Sequence, residues 1–323
     1  MKGNRRIPEE VHPQIDLVYT WVDGNDPEWQ KRRNQAIGEP DEKTGSNYRG
    51  RYDDNGELRY SLRSAAMYAP WIRKIFIVTD GQVPSWLDTS NPRIRIVDHK
   101  EIIPEDCLPT FNSVTIEHCL WRIPDLSEKF IYGNDDTFFN RDVRPEDFFK
   151  PDGKPIIRLN RRIFRKFTLW FKEKIQGKCL SNYNLNIRNA SRLVEKRYGR
   201  YFGSKTHHNL DAYSKSRYER TFKEFRSDIE PTVRHKVRDD ADIQRNIYSY
   251  VALAAKEAVA SYVGSSTSFK FHIDNPRHYD KLRKLNPMLF CLNDSEYADD
   301  EDRRRVKEFL EMRFPEPSVF EIV

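Results

Sequence analysis

Cysteine is scarce in this chain. Four residues in 323, Cys107, Cys119, Cys179 and Cys291, are scattered with no Cys-x-x-Cys pair. That argues against a zinc knuckle and fits reduced thiols in a cytosolic setting. Long apolar runs are also missing. None approaches the roughly 18 residues needed to span a bilayer. Met1 to Glu10 is polar and lacks the apolar centre of a signal peptide, so any membrane contact would be peripheral. There are no internal repeats and no low-complexity linker, which favours one continuous unit. Positive charge is not gathered into one tail. The net charge of +6 therefore points away from nucleic acid and toward a basic face for nucleotides, polyanionic glycans or anionic lipid. What is present is 33% charged and 13% aromatic residues, the balance of a folded protein with a wet surface.

Ile15 to Trp21 reads as a β-strand that stops at the turn-rich Val22-Asp23-Gly24-Asn25-Asp26-Pro27. Residues 39 to 57 are polar and Gly-rich and read as a loop. Glu57 to Tyr68 has helical spacing, with Leu58, Leu62, Ala65 and Ala66 on one side and Arg59 and Arg63 four apart on another. Lys74 to Thr79 and Arg93 to Val97 follow as strands, then a helix over Asn112 to Trp121. Strands alternating with helices predict an α/β fold with a mostly parallel, Rossmann-like sheet. Helical spacing at Arg188 to Tyr201, Ser214 to Phe225, Ala241 to Tyr262 and Asp300 to Arg313 predicts a helical lobe from the second half. The expected division is a sheet core over about 12–160 and 265–295, a lobe over about 161–264, and a C-terminal helix over about 300–323.

The most informative stretch is Lys129-Phe130-Ile131-Tyr132-Gly133-Asn134-Asp135-Asp136. A buried strand delivers two adjacent acids to its C-terminal edge, where open α/β sheets place ligands. Such a pair suits a divalent ion bridging to phosphate oxygens. The plain alternative is a strand followed by an Asx turn. The segment Arg161-Arg162-Ile163-Phe164-Arg165-Lys166-Phe167-Thr168-Leu169-Trp170-Phe171-Lys172 interleaves basic and aromatic residues. It suits a peripheral membrane face, a groove for a phosphate-bearing glycan, or an amphipathic cover for the sheet.

Four blocks in order resemble the Stealth proteins, which include bacterial capsular-polysaccharide hexose-1-phosphate transferases and the catalytic subunit of the lysosomal-enzyme N-acetylglucosamine-1-phosphotransferase. The first is Ile15 to Pro27. The second runs from Asp54-Asn55-Gly56-Glu57 through Asp80-Gly81-Gln82 to Asn134-Asp135-Asp136. The third includes His207-His208-Asn209-Leu210-Asp211, His235-Lys236-Val237-Arg238 and Asp242-Ile243-Gln244. The fourth is Cys291-Leu292-Asn293-Asp294 with Phe314-Pro315-Glu316-Pro317-Ser318.

The resemblance implies a glycosyltransferase-A-like sheet. It also implies transfer of a hexose-1-phosphate, with an N-acetylhexosamine as the expected sugar, from a UDP-sugar to a hydroxyl of a polysaccharide or oligosaccharide acceptor. UMP would leave. A conventional metal-dependent glycosyltransferase releasing UDP is the alternative. Phosphoryl transfer calls for a cation, guanidinium groups and a base. By the resemblance Asp135 is an essential acid, and Asp136 with Asp294 holds a divalent metal, Mg²⁺ or Mn²⁺. Asp294 equally suits a turn or helix cap. Arg59, Arg63 and Arg238 are the expected phosphate ligands. His208 is preferred over His207 as the acceptor base, with Asp135 as the other choice. Glu117 is expected to bind sugar or Arg63. Trp21, Val22, Asp23 and Gly24 are expected at the nucleotide, with Trp21 equally suited to the core, and Asn112, Ser113 and Asn134 at sugar hydroxyls, although Asn112 and Ser113 could simply cap their helix.

Overall fold

The computed structural model describes residues 14–38, 54–162, 164–177, 179–294 and 297–322. Eleven strands lie in these residues: β1 Ile15–Thr20, β2 Ile75–Thr79, β3 Ile94–Asp98, β4 Lys129–Asn134, β5 Thr137–Phe139, β6 Ile156–Asn160, β7 Lys205–Thr206, β8 Asp211–Ser214, β9 Val259–Tyr262, β10 Ser268–His272 and β11 Leu289–Asn293. The central sheet has the order β3-β2-β1-β4-β8. Its first four strands are parallel and β8 runs antiparallel at the edge. The expected α/β class with a mostly parallel sheet is what the chain forms.

The apolar runs that mark β1, β2 and β4 are continuous because both faces of the sheet are covered. Leu17, Tyr19, Ile75, Ile77 and Ile131 face one core, shared with Leu58, Leu62 and Ala65 of the Glu57–Tyr68 helix. Val18, Phe76, Val78, Phe130 and Tyr132 face the other. That second core is closed by the Ser113–Cys119, Asn182–Tyr198, Lys215–Glu224, Arg226–Arg234 and Asn246–Ala254 helices, through residues such as Ile187, Val194, Phe222, Ile229 and Ile247. The helices between residues 182 and 254 thus pack over one face of the sheet.

Two smaller sheets complete the fold. One has the order β10-β11-β5 and the other β7-β6-β9. The stretch expected as a purely helical lobe therefore supplies β7, β8 and β9, and β8 joins the central sheet against β4. These strands are two to four residues long, too short to show a clear alternation. The helix expected over Ala241 to Tyr262 ends at Ala254, and Lys256, at φ 59°, turns the chain into β9. A β-branched or bulky side chain resists that left-handed conformation, and an unbranched lysine accepts it at some cost. Of the loop expected over 39–57, residues 39–53 lie outside the described residues. Asp54 to Gly56 lead directly into the Glu57–Tyr68 helix, with Gly56 at φ 83°.

One junction positions the acids. β4 belongs to the central sheet and β5 to the second, with only Asp135 and Asp136 between them. The chain turns a corner there instead of closing a hairpin. Leu292 N–H donates to the Asp136 carbonyl at 2.9 Å, and the Phe138 and Phe290 rings stack at 4.6 Å. Gly133 is required just before the corner. A Cβ there would lie 2.4 Å from Thr137 Oγ1 and 2.5 Å from Leu210 Cδ2.

Candidate active site

The loops after β1, β2 and β4 emerge at the same edge of a parallel sheet, the edge where such folds bind ligands. Trp21 is buried and donates its indole N–H to Asp54 Oδ2 at 3.3 Å. Gln82, after β2, braces the next turn. Its side chain accepts from Asp23 N–H and donates to the Asp23 carbonyl, both at 3.0 Å. Gly24 is buried, its carbonyl taking a hydrogen bond from Gln30 Nε2 at 2.7 Å, and Val22 is half-buried. Trp21 to Gly24 thus form a fixed rim beside Asp54. Asn134 lies at the end of β4, where its Oδ1 accepts from Tyr132 Oη at 2.9 Å and Thr20 Oγ1 at 3.3 Å.

Carboxylates gather behind this rim. Burial pushes Asp135 well above the usual carboxylate range, and repulsion from Asp136, Glu57 and Asp54 pushes it further. Glu57 rises to about 7, mainly through burial, against the opposing hydrogen bond from Asn55. Asp136 rises to about 6, again mainly through burial. Acids crowded in this way favour a bound cation or proton.

Asp136 is also where three elements meet. Cys291 Sγ, from β11, donates to Asp136 Oδ2 at 3.3 Å. His208 Nε2 lies 3.9 Å from the same oxygen. Asp136, His208 and Cys291 present ligand atoms within 4.8 Å of one another, a group that could hold a metal ion. Asp136 Oδ1 is buried and has no hydrogen-bond partner among the described residues. A carboxylate oxygen left this way fits a cation ligand. Burial and Asp136 hold the Cys291 thiol well above its usual range. It is a protonated donor to Asp136, and its soft sulfur does not suit Mg²⁺. His208 keeps more than a third of its side chain exposed. Its pKa is nevertheless lowered, first by desolvation and then by Arg245 and Lys270. A neutral imidazole beside a carboxylate can accept a proton.

A buried ion-pair network stands next to this cluster. Arg245 Nε is 3.3 Å from Glu117 Oε1, and its Nη1 is 3.0 Å from Asp211 Oδ2 and 2.7 Å from Tyr213 Oη. His207 Nε2 lies 3.1 Å from Asp211 Oδ1. His207 is buried in this network, which leaves the more exposed His208 facing Asp136. Glu117 Oε2 is buried with no hydrogen-bond partner among the described residues. Burial raises the Glu117 pKa against the pull of Arg245 and Arg238. Arg245 directly follows Asp242-Ile243-Gln244, and no local pattern in the sequence marks it. Cys291, Asp54 and Glu57 sit within the motif blocks, and their spacing alone gives them no role.

The other expected residues are placed as follows. Arg238 Nη2 donates to Ser113 Oγ at 2.7 Å, so these two are brought together, and Arg238 acts electrostatically on Glu117 and His208. Asn112 is fully buried. It caps its helix by accepting from Val114 N–H at 3.0 Å and donates to Asp242 Oδ2 at 3.0 Å. It anchors the 237–242 loop instead of offering its amide to a sugar. Arg63 differs from expectation too. It spends its donors on both Glu321 carboxylate oxygens and on the Phe314 and Pro315 carbonyls. Arg59 Nε reaches Glu321 Oε2 at 2.5 Å. The helix turns these arginines toward the C-terminal segment, where a carboxylate takes the place expected for phosphate. Asp294, expected as the second metal ligand, pairs instead with Arg303 at 3.1 and 3.3 Å.

A doubly wound α/β sheet with acids at its ligand edge defines the class. Three conserved regions of the Stealth proteins match within it: region 1 over residues 13–40, region 2 over 51–157 and region 4 over 280–323. The capsular polysaccharide phosphotransferase fcs1 of Haemophilus influenzae is 33% identical over 88% of this chain and 79% of its own length. An exopolysaccharide phosphotransferase of Streptomyces coelicolor is 35% identical over 98% of the chain and 53% of its own length. The capsular polysaccharide phosphotransferase SacB of Neisseria meningitidis serogroup A is 33% identical over 97% of the chain and 58% of its own length. The chain belongs to the Stealth family. It spans about half the length of several of the curated relatives it matches. Among solved structures, the galactosyltransferase LgtC, in complex with donor and acceptor sugar analogues, overlaps 93% of this chain and 95% of its own at 10% identity and a TM-score of 0.42. Among the described residues no helix is long and apolar enough to cross a membrane.

Proposed function

We propose that this chain transfers a hexose-1-phosphate from a UDP-sugar to a hydroxyl of a polysaccharide acceptor, releasing UMP. The acceptor oxygen bonds to the β-phosphorus of the donor. The bond from that phosphorus to the oxygen bridging to the α-phosphate breaks, and its electron pair leaves with UMP. The product is a phosphodiester between two sugars. The observation that carries this reading is the corner at Asp135 and Asp136, where His208 meets a carboxylate at the ligand edge of the sheet. The names of the curated relatives, polysaccharide phosphotransferases, support it.

In this reading Asp136 would hold a divalent cation, Mg²⁺ or Mn²⁺, with Asp135 beside it, and the cation would supply charge neutralisation at the phosphates. His208, held neutral, takes the proton of the acceptor hydroxyl. Arg238 and Ser113 bind phosphate or sugar oxygens at the mouth. Arg245 fixes Glu117 next to this basin. Trp21 to Gly24 form the wall for the nucleoside. The purified chain should release UMP from one of a panel of UDP-sugars when given an oligosaccharide acceptor. Release of UDP with a glycosidic product would overturn the proposal in favour of an ordinary glycosyltransferase.

A further inference from the structure

We infer that a trough of cations leading from His208 to the start of the Arg165–Lys174 helix binds the phosphodiester backbone of the acceptor glycan; this rests on the transfer reading above and names the acceptor's chemistry. The trough begins at the catalytic edge. Lys270 stands in register with Cys291 across β10 and β11, and Cys291 contacts Asp136. Lys205 lies in β7, three residues before His208, and pairs with Asn160 at the end of β6. Arg161 and Arg162 follow Asn160 directly, and Arg162 N–H donates to Ser204 Oγ at 3.2 Å. Beyond them opens a cleft of about 670 Å³ lined by Arg161, Arg162, Arg165, Thr168 and Lys172. Backbone pairing thus ties the basic cleft to the loop that carries His208.

Lys166, Arg188 and Arg197 each carry a glutamate partner. Among the described residues none of Arg161, Arg162, Arg165, Lys172, Lys205 and Lys270 makes an ion pair. The Arg165 guanidinium donates to the neutral Asn184 Oδ1 at 2.7 Å. The Lys205 ammonium is lowered to about 8 by burial and then by Arg165, Arg162 and Lys270. Lys270 feels the Asp136 carboxylate; the remaining like charges, held together with no ion-pair partner among the described residues, cost stability unless an anion joins them. Aromatic rings are interleaved as platforms for sugars. Lys205 Nζ lies 4.5 Å from the Tyr183 ring centre, and Arg161 lies 5.9 Å from that of the exposed Tyr262. The proposed reaction leaves one negative charge per transferred unit. A chain that has already been extended fits this trough, with its terminal hydroxyl at His208 and earlier phosphodiesters on the arginines.

The test uses R162A and K205A, separately and together, with two acceptors of the same sugar: a phosphodiester-linked oligosaccharide and a neutral one. The KM for the anionic acceptor should rise roughly tenfold in the double variant, with kcat, the donor KM and turnover on the neutral acceptor within about twofold of wild type. R162K with K205R should recover most of the loss. Equal loss on both acceptors would overturn the inference. So would an unchanged KM for the anionic acceptor together with lost binding to vesicles containing anionic phospholipid, since the exposed Phe164, Phe167 and Trp170 would then mark a membrane face. Direct titration of wild type and double variant with the anionic oligosaccharide, without donor, tests the trough even if no UDP-sugar is turned over. Weaker binding by the variant supports it and identical binding refutes it.

Discussion

Glu321 grips Arg63 from the far end of the chain, its two carboxylate oxygens lying 2.7 and 2.8 Å from Nε and Nη2. Both side chains are nearly inaccessible. The same carboxylate takes Arg59 and the Ser318 backbone N–H. The C-terminal segment is thereby fastened to the helix that follows the Asp54 rim. Removing one partner of a buried, hydrogen-bonded ion pair strands the other charge. E321A should therefore lose about 3–5 kcal/mol of unfolding free energy, read by denaturant titration. R63K should be damaging as well, because an ammonium cannot reproduce the two parallel bonds of the guanidinium fork. A loss below about 1 kcal/mol in E321A would show that the clamp contributes little to stability.

The clamp also has a pH signature. Burial alone would raise the Glu321 pKa. Arg63, the Ser318 N–H and Arg59 outweigh it and lower the pKa from 4.5 to about 2. Glu321 therefore binds protons more weakly in the folded chain than in the unfolded one. Its contribution is complete above about 4.5 and is lost as pH falls toward about 2. Wild type should lose stability over this window more steeply than E321Q, as measured by thermal unfolding at a series of pH values. Parallel curves would exclude Glu321 as the titrating group.

Gly133 offers a test of the corner that carries the acids. An alanine there would press its methyl group against Thr137 Oγ1 and Leu210. Thr137 is bonded to the Asn134 carbonyl and Leu210 is fully buried, so neither has room to yield. G133A should cost about 1–3 kcal/mol, the usual range for overpacking. It should also cut UMP release more than its stability loss explains, because the strain falls two residues before Asp135. Full activity at a temperature well below its unfolding midpoint would show that the corner tolerates displacement.

The sheet was legible because buried parallel strands write themselves as continuous apolar runs, and Ile15–Thr20, Ile75–Thr79 and Lys129–Asn134 emerged within a residue of expectation. The Glu57–Tyr68 helix matches its expected span, and the last helix fills the helical spacing over Asp300–Arg313 but stops ten residues short of the 323 expected for the C-terminal element. Strands β7 to β9 were not legible, since partners distant in sequence define them. Side-chain direction was the harder question for the site. Arg59 and Arg63 lie four apart on one helix face, as the spacing required, yet only the fold shows that this face meets Glu321. Asn112 reads equally well as a cap or a sugar ligand until its burial is known. Arg245 follows Gln244 with no local pattern to mark it, and its importance comes from Glu117 and Asp211, each more than 30 residues away in sequence.

Asp136 allows stability and function to be set against each other. Its Oδ1 is buried without a partner among the described residues, and burial holds its pKa near 6. Near neutral pH an ionised Asp136 therefore destabilises the metal-free fold. D136N keeps the shape and removes the charge. Its metal-free thermal midpoint should equal or exceed that of wild type, while turnover falls at least about 100-fold through loss of charge neutralisation at the phosphates. A divalent ion at 100 times its dissociation constant should stabilise wild type by about 2.7 kcal/mol and should leave the D136N midpoint unmoved. Titrating Mg²⁺ and Mn²⁺ against both proteins by thermal shift, after chelation, measures this without relying on activity. An equal shift in both proteins would place the ion away from Asp136. Full turnover by chelated wild type would remove the cation from the reaction and leave Asp136 to act with His208 alone.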